Sequence, residues 1–252
     1  MTETQIKTET QETRVAIVTG GSRGIGRGIA EALLADGWQV HLCSKNPASV
    51  DAALSELRER LGDRSERGDL VQGRAVDVRS QEEVDSFVHG VLDREGRIDC
   101  LVNNAGLAHF APVDELTGDQ WREVLATNLD GCFYFLHAVA PAMKRQGSGW
   151  IFNISSLAGK NPFAGGGAYN ASKFGLIGLS EAAMLDLRPH GVRVAAILPG
   201  SVDTGFGHRS GSRDRSWMLQ PEDIASMVLH LLSYPPNALP SLVEMRPSRP
   251  PK

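Results

Sequence analysis

From Arg14 onward, short runs of apolar and β-branched residues alternate with longer stretches whose apolar positions recur at helical spacing. The runs fall near Val15–Thr19, Val40–Ser44, Val71–Val76, Cys100–Asn103, Trp150–Ile154, Val192–Leu198 and Leu242–Met245, giving seven strand candidates. Most intervals between them can hold a helix, the crossover that parallel neighbours require. The pattern therefore predicts an α/β fold, a doubly wound seven-stranded parallel sheet with helices on both faces. Pro47 suits the first turn of a helix through Ala52–Leu61, and Pro221 followed by Glu222 and Asp223 opens another over Ile224–Leu232. No repeat, linker or compositional shift divides the chain, so one domain is expected over residues 14–252, in preference to two mononucleotide-sized units. Residues 1–13, rich in Thr, Glu and Gln, read as a disordered tail.

Composition narrows the function classes. With 41% hydrophobic and 22% charged residues, the 252-residue chain reads as a soluble protein able to bury a large core. Its formal charge of -4, with no basic stripe, gives no electrostatic case for nucleic acid or an anionic membrane as partner. No stretch is apolar for long enough to span a bilayer, and the N-terminal segment lacks the apolar core of a signal peptide. Cys43, Cys100 and Cys132 lack C-x-x-C spacing and lie in or beside apolar runs, so buried thiols in a reducing, cytoplasmic setting are expected.

The first strand runs into Thr19-Gly20-Gly21-Ser22-Arg23-Gly24-Ile25-Gly26 and then the helical pattern Ile29–Leu34. Glycines in a strand–turn–helix permit close backbone approach to a pyrophosphate, and the helix N-terminus offers unpaired N–H groups with partial positive charge. The spacing is G-x-x-x-G-x-G, and at this point the sequence resembles the short-chain dehydrogenase/reductase family, including members that reduce 3-oxoacyl carrier-protein substrates or oxidise 3-hydroxy acids. The resemblance runs from about Arg14 to Met245 and implies a Rossmann fold binding a nicotinamide cofactor. It places Gly20, Ser22, Arg23, Gly24, Ile25 and Gly26 at the phosphates, Asp77 and Val78 toward the adenine, and Asn104, Ala105 and Gly106 of Asn103-Asn104-Ala105-Gly106 along the adenosine. The segment Pro199-Gly200-Ser201-Val202-Asp203-Thr204 is similar to the family's P-G-x-x-x-T stretch, which implies that Pro199, Gly200, Val202 and Thr204 hold the nicotinamide. At the ribose 2′ position an acid would bind a hydroxyl, whereas a cation would accept a phosphate. The second strand ends Leu42-Cys43-Ser44-Lys45, with no carboxylate at Ser44, and Lys45 and Arg23 could pair with a phosphate, so NADP(H) is favoured over NAD(H).

Carbonyl reduction needs a proton donor at the forming alkoxide, and alcohol oxidation needs the same group as a base. Tyr169 and Lys173 stand at i and i+4 of a helical pattern from about Ala168 to Leu187, where the lysine would favour the phenolate. Alone, such a pair is as readily packing. Ser156 lies thirteen residues before Tyr169, resembling the family's serine-to-tyrosine spacing, and is preferred over Ser155 as the donor to the substrate oxygen. Asn128, in Ala126-Thr127-Asn128-Leu129, matches the family's fourth catalytic residue; the resemblance implies a relay water beside Lys173 and a local helix irregularity. Tyr169 and Lys173 would also touch the cofactor.

The reaction class expected is reversible NADP(H)-dependent reduction of a ketone or 3-oxoacyl-type carbonyl to a secondary alcohol. The alternatives are an NAD-dependent secondary alcohol or polyol dehydrogenase and, outside enzymes, a non-catalytic NADP(H) sensor or structural subunit. The substrate loop is placed near residues 205–219, where Arg209, Arg213 and Arg215 either meet an anionic substrate or are solvated. Phe110, Phe163 and Trp217 either line an apolar pocket or are packing residues. The resemblance also implies a homodimer or homotetramer built through the helices carrying Asn128 and Tyr169.

Overall fold

The computed structural model describes residues 13–62, 70–206 and 214–250. Most of the expected tail and residues 207–213 of the substrate loop, including Arg209 and Arg213, lie outside the described residues. The chain alternates β1 (Val15–Thr19), α1 (Gly24–Ala35), β2 (Gln39–Ser44), α2 (Pro47–Leu61), β3 (Val71–Ala75), α3 (Gln81–Glu95) and β4 (Cys100–Asn103). It continues through α4 (Gly118–Leu125), α5 (Gly131–Gln146), β5 (Gly149–Ile154), α6 (Gly167–Leu187), β6 (Val192–Pro199), α7 (Pro221–Leu232) and β7 (Leu242–Met245). All seven strands form one parallel sheet in the order β3-β2-β1-β4-β5-β6-β7, as the alternation predicts.

Both faces of this sheet are covered, which explains why its strands read as continuous apolar runs. The two-residue pleat divides each strand between two cores. Ala16, Val18, Val40, Leu42, Val102, Phe152 and Ile197 pack with Leu33, Leu57 and Val228 on the face of α1, α2 and α7. On the other face, Val15, Ile17, Leu101, Ile151 and Val194 meet Val88, Phe135 and Leu187 from α3, α5 and α6. Within the sheet, Asn103 and Asn153 are register partners. Asn103 Nδ2 donates to Asn153 Oδ1 at 2.9 Å, and Asn153 Nδ2 donates to Ser180 Oγ at 2.8 Å, tying β4 and β5 to α6.

β1, β4 and β7 have the expected bounds, β3 ends one residue earlier, and β2, β5 and β6 run one residue further; at β2, Gln39 N donates to Arg14 O at 2.9 Å and so joins the strand. Helix α2 starts at Pro47, five residues before its apolar pattern. Pro47, Ala48 and Ser49 face solvent, and the turn is held by Asn46 Oδ1, which accepts from Ser49 N at 3.0 Å, while Val50 already packs in the core. The strand order reverses direction between β1 and β4, so the chain leaves these neighbours toward opposite faces and opens a crevice at their C-terminal ends. Among the described residues, no helix is long and apolar enough to cross a membrane.

Candidate active site

The crevice continues into a cleft of about 900 Å³ along the C-terminal edge of the sheet. Its floor starts at the glycine turn. Gly20 and Gly24 have φ of 62° and 56°, which L side chains rarely adopt, and a Cβ on Gly20 would stand 2.9 Å from Ala105 Cα. Gly26 does not line the cleft. A Cβ there would lie 2.4 Å from Asn104 Nδ2 and Gly20 O, so this glycine lets α1 pack against the turn it follows. Whereas α2, α3 and α4 begin with side-chain caps, Arg23 at the N-cap of α1 makes none. The first N–H groups of a twelve-residue helix thus face a glycine-lined opening, which fits a dinucleotide pyrophosphate.

Thr19, quoted in the turn but given no role from sequence, joins the two sides. Its Oγ1 accepts from Asn104 N at 2.9 Å and Ala105 N at 3.0 Å, while Asn104 Nδ2 donates to Thr19 O and Gly20 O. Ser22, Ile25, Lys45, Asp77, Val78, Asn104, Ala105 and Gly106 line the cleft, as do Pro199, Gly200, Val202 and Thr204. Ser22 Oγ bonds Ser44 Oγ at 3.1 Å. Lys45 Nζ rests 3.2 Å from Asp77 Oδ2 and is largely exposed, so its ammonium can exchange this partner for a ligand phosphate. Arg79, which sequence did not single out, binds Asp77 through Nε at 2.8 Å and through Nη2, and holds the Asp77 carboxyl well below the usual carboxylate range. It continues to Glu123 at 3.3 Å, and Glu123 to His109 at 2.9 Å. An Arg two residues after an acid was the only signal for Arg79.

Ser156, Tyr169 and Lys173 meet at the other end of the cleft. The β5 strand delivers Ser155 and Ser156. Ser155 Oγ turns inward and donates to Lys173 O at 3.1 Å, whereas Ser156 lines the cleft with the Tyr169 phenol beside it, its Oγ accepting from Ala158 N at 3.1 Å. The next turn, Leu157–Gly159, packs so closely on α6 that a Cβ on Gly159 would lie 2.7 Å from Lys173 O. Lys173 Nζ donates to Ile154 O at 2.9 Å and stands 5.7 Å from the centre of the Tyr169 ring.

The electrostatics depart from the sequence expectation in one respect. Burial pushes the Tyr169 phenol up, and the Ser156 hydrogen bond only partly opposes it. Burial also pulls Lys173 down to about 8, with the Cys132 sulfur opposing that shift. Loss of hydration disfavours both charged forms.

Asn128 lies behind this group, fully buried, in a π-helical turn (Ala126–Asp130) between α4 and α5, the irregularity expected there. Its Oδ1 accepts from Leu107 N at 2.8 Å, and its Nδ2 donates to Leu107 O at 2.9 Å and Ser172 Oγ at 3.0 Å. Ser172 Oγ donates onward to Tyr169 O at 2.8 Å. The asparagine thus fixes the loop after β4 and the first turn of α6. Phe110 and Phe163 line the cleft, as does Phe206, which sequence overlooked; Trp217 lies in a separate hollow with Met227 and His230. Arg215 bonds Asp203 at 3.0 Å. Cys43, Cys100 and Cys132 are free thiols, all buried.

Comparison with known proteins bears on this arrangement. A family model described as short chain dehydrogenase matches residues 14–215. A Streptomyces coelicolor protein provisionally named a ketoacyl reductase is 39% identical over 197 residues, covering 77% of this chain and 73% of that protein. A metagenomic short-chain oxidoreductase solved with NADP is 37% identical with a TM-score of 0.79, covering 94% of this chain and 98% of its own. An alcohol dehydrogenase from the archaeon Thermococcus sibiricus, solved with 5-hydroxy-NADP, is 31% identical with a TM-score of 0.85, covering 96% and 100%. The chain belongs to the short chain dehydrogenase family and is an NAD(P)-dependent oxidoreductase.

Proposed function

We propose that the protein reduces a ketone-type carbonyl to a secondary alcohol, reversibly, with NADP(H) as cofactor and Tyr169 as the acid. The observation that carries this reading is the convergence of Tyr169, Ser156 and Lys173 at one end of a cleft whose other end fits a dinucleotide. A reduced nicotinamide, which Pro199, Gly200, Val202 and Thr204 would hold, would supply the hydride that the carbonyl carbon receives. The Ser156 hydroxyl and the Tyr169 phenol donate hydrogen bonds to the carbonyl oxygen, stabilising negative charge as it develops. Tyr169 then releases its proton to that oxygen, completing the alcohol. Its raised pKa keeps the phenol loaded at neutral pH, and the nearby Lys173 ammonium favours the phenolate left behind. Asn128 holds the α6 end in place through Ser172.

The NADP(H) preference is supported by Ser44 at the end of β2, where a carboxylate would repel a phosphate, and by the exposed Arg23 and Lys45 at the same rim. The NADP-bound neighbour agrees with it. A homodimer or homotetramer is supported by Trp121, Phe133 and Phe174, exposed on α4, α5 and α6.

Purified protein given NADPH and a panel of ketones, 3-oxoesters and diketones should consume NADPH with at least one of them. Tight NADPH binding without consumption on any would favour a sensor. In the same assay, Lys45→Ala should lower the NADPH-to-NADH ratio of kcat/KM about tenfold, the loss of roughly one charge-assisted contact; an unchanged ratio would remove Lys45 from the 2′ site. For pH, Lys173 is charged below its lowered pKa of about 8 and discharged above it, while Tyr169 stays protonated. Reduction at saturating NADPH should therefore fall as pH rises through about 8, and a rate level to about pH 10, far beyond that value, would contradict the role given to the ammonium. Sedimentation should show a dimer or tetramer, and a monomer at assay concentrations would exclude the assembly.

A further inference from the structure

The Tyr169 ring is enclosed by three phenylalanines from separate parts of the chain. Phe110 follows β4, Phe163 lies between the Ser156 turn and α6, and Phe206 comes just after Thr204. Their ring centres stand 5.9, 6.5 and 5.9 Å from that of Tyr169, and Phe110 and Phe163 are 5.7 Å apart. Each is close to half exposed, at 49%, 46% and 49%, and each lines the cleft. Large aromatic surface left open inside a cleft is unusual for packing residues, which lose their benefit if water covers them.

The polarity of the cleft divides along its length. Lys45, Asp77, Arg79 and Glu123 form one connected series of ion pairs beyond β2 and β3. The cleft lining adds the apolar Ala164 and Met218 to the phenylalanines, and Arg215 is engaged by Asp203. A substrate whose carbonyl oxygen reaches Tyr169 and Ser156 must place one substituent against these rings. Aromatic rings at centroid separations of 4.5–7 Å favour tilted and edge-on contacts, and these rings meet at interplanar angles of 57°, 75° and 47°. Among the three rings themselves a carboxylate would lose its hydration with no donor to replace it.

We propose that the substrate is an aryl ketone, its ring seated among Phe110, Phe163 and Phe206 with the carbonyl at Tyr169. This rests on the reductase reading above. Acetophenone, butanone and acetoacetate separate the cases, each assayed with NADPH. Acetophenone should give a kcat/KM about tenfold or more above butanone, mainly through a lower KM, as expected for added apolar and ring contacts, and acetoacetate should be the poorest. Phe163→Ala should raise the KM for acetophenone and shrink that advantage, while Phe163→Leu, which keeps apolar volume but not the ring, should recover part of it. Retained NADPH binding verifies that each variant is folded. Calorimetric titration of acetophenone into the enzyme–NADP+ complex reads the same site without turnover.

Equal kcat/KM for acetophenone and butanone, or no effect of Phe163→Ala, would overturn the aryl site while leaving the reductase reading intact. Acetophenone binding that Phe163→Ala weakens, with no NADPH consumed on any ketone, would support the aryl site and overturn the reaction. Neither binding nor consumption would overturn both.

Discussion

Where β1 and β4 lie side by side and their chains depart for opposite faces of the sheet, the ladder ends and backbone N–H groups lose their partners. The Thr19 hydroxyl resolves this by accepting from Asn104 N and Ala105 N together. The Asn104 side chain returns the contact by donating to Thr19 O and Gly20 O. This exchange holds the glycine turn open at a fixed height above the sheet. Gly20 and Gly26 are required because Ala105 and Asn104 occupy the space that their side chains would take. The cofactor end and, through the loop after β4, the Asn128 contacts to Leu107 both depend on it.

The reactive end is built on a different principle. Burial makes charge expensive for Tyr169 and Lys173 alike, raising the first and lowering the second to about 8. A resting state with a neutral phenol and a readily discharged lysine is therefore favoured. Ser156 biases the phenol in the other direction, and in the proposed reaction the carbonyl oxygen would accept from both hydroxyls. From the π-helical turn, the Asn128 side-chain amide bonds sideways to Leu107 and Ser172. Geometry at the phenol is consequently set by β5, the π-helical turn and α6.

The sheet was legible because its buried strands are short apolar runs separated by helix-length intervals, and the glycine turn because positive φ demands glycine. Ser156, Tyr169 and Lys173 were legible from spacing and resemblance, since β5 and α6 bring them together without any long-range feature that sequence could show. Arg79, Glu123 and Phe206 were not. Their roles arise from side chains meeting across separate loops, such as Arg79 with Glu123 of α4 or Phe206 with Tyr169, and no local period encodes such meetings. Trp217 illustrates the converse. Its place in the loop left pocket lining and packing both open, and the pairing of Val202 with Leu219 directs that segment toward a hollow near α7.

The central claim is that Tyr169 transfers the proton while other groups hold the cofactor. Tyr169→Phe removes only the hydroxyl, so the most direct measurement is kcat for ketone reduction alongside NADPH affinity in this variant. The account predicts a fall in kcat of about a hundredfold or more, the usual weight of a positioned general acid, with NADPH affinity largely retained. Near-normal turnover in Tyr169→Phe would contradict it.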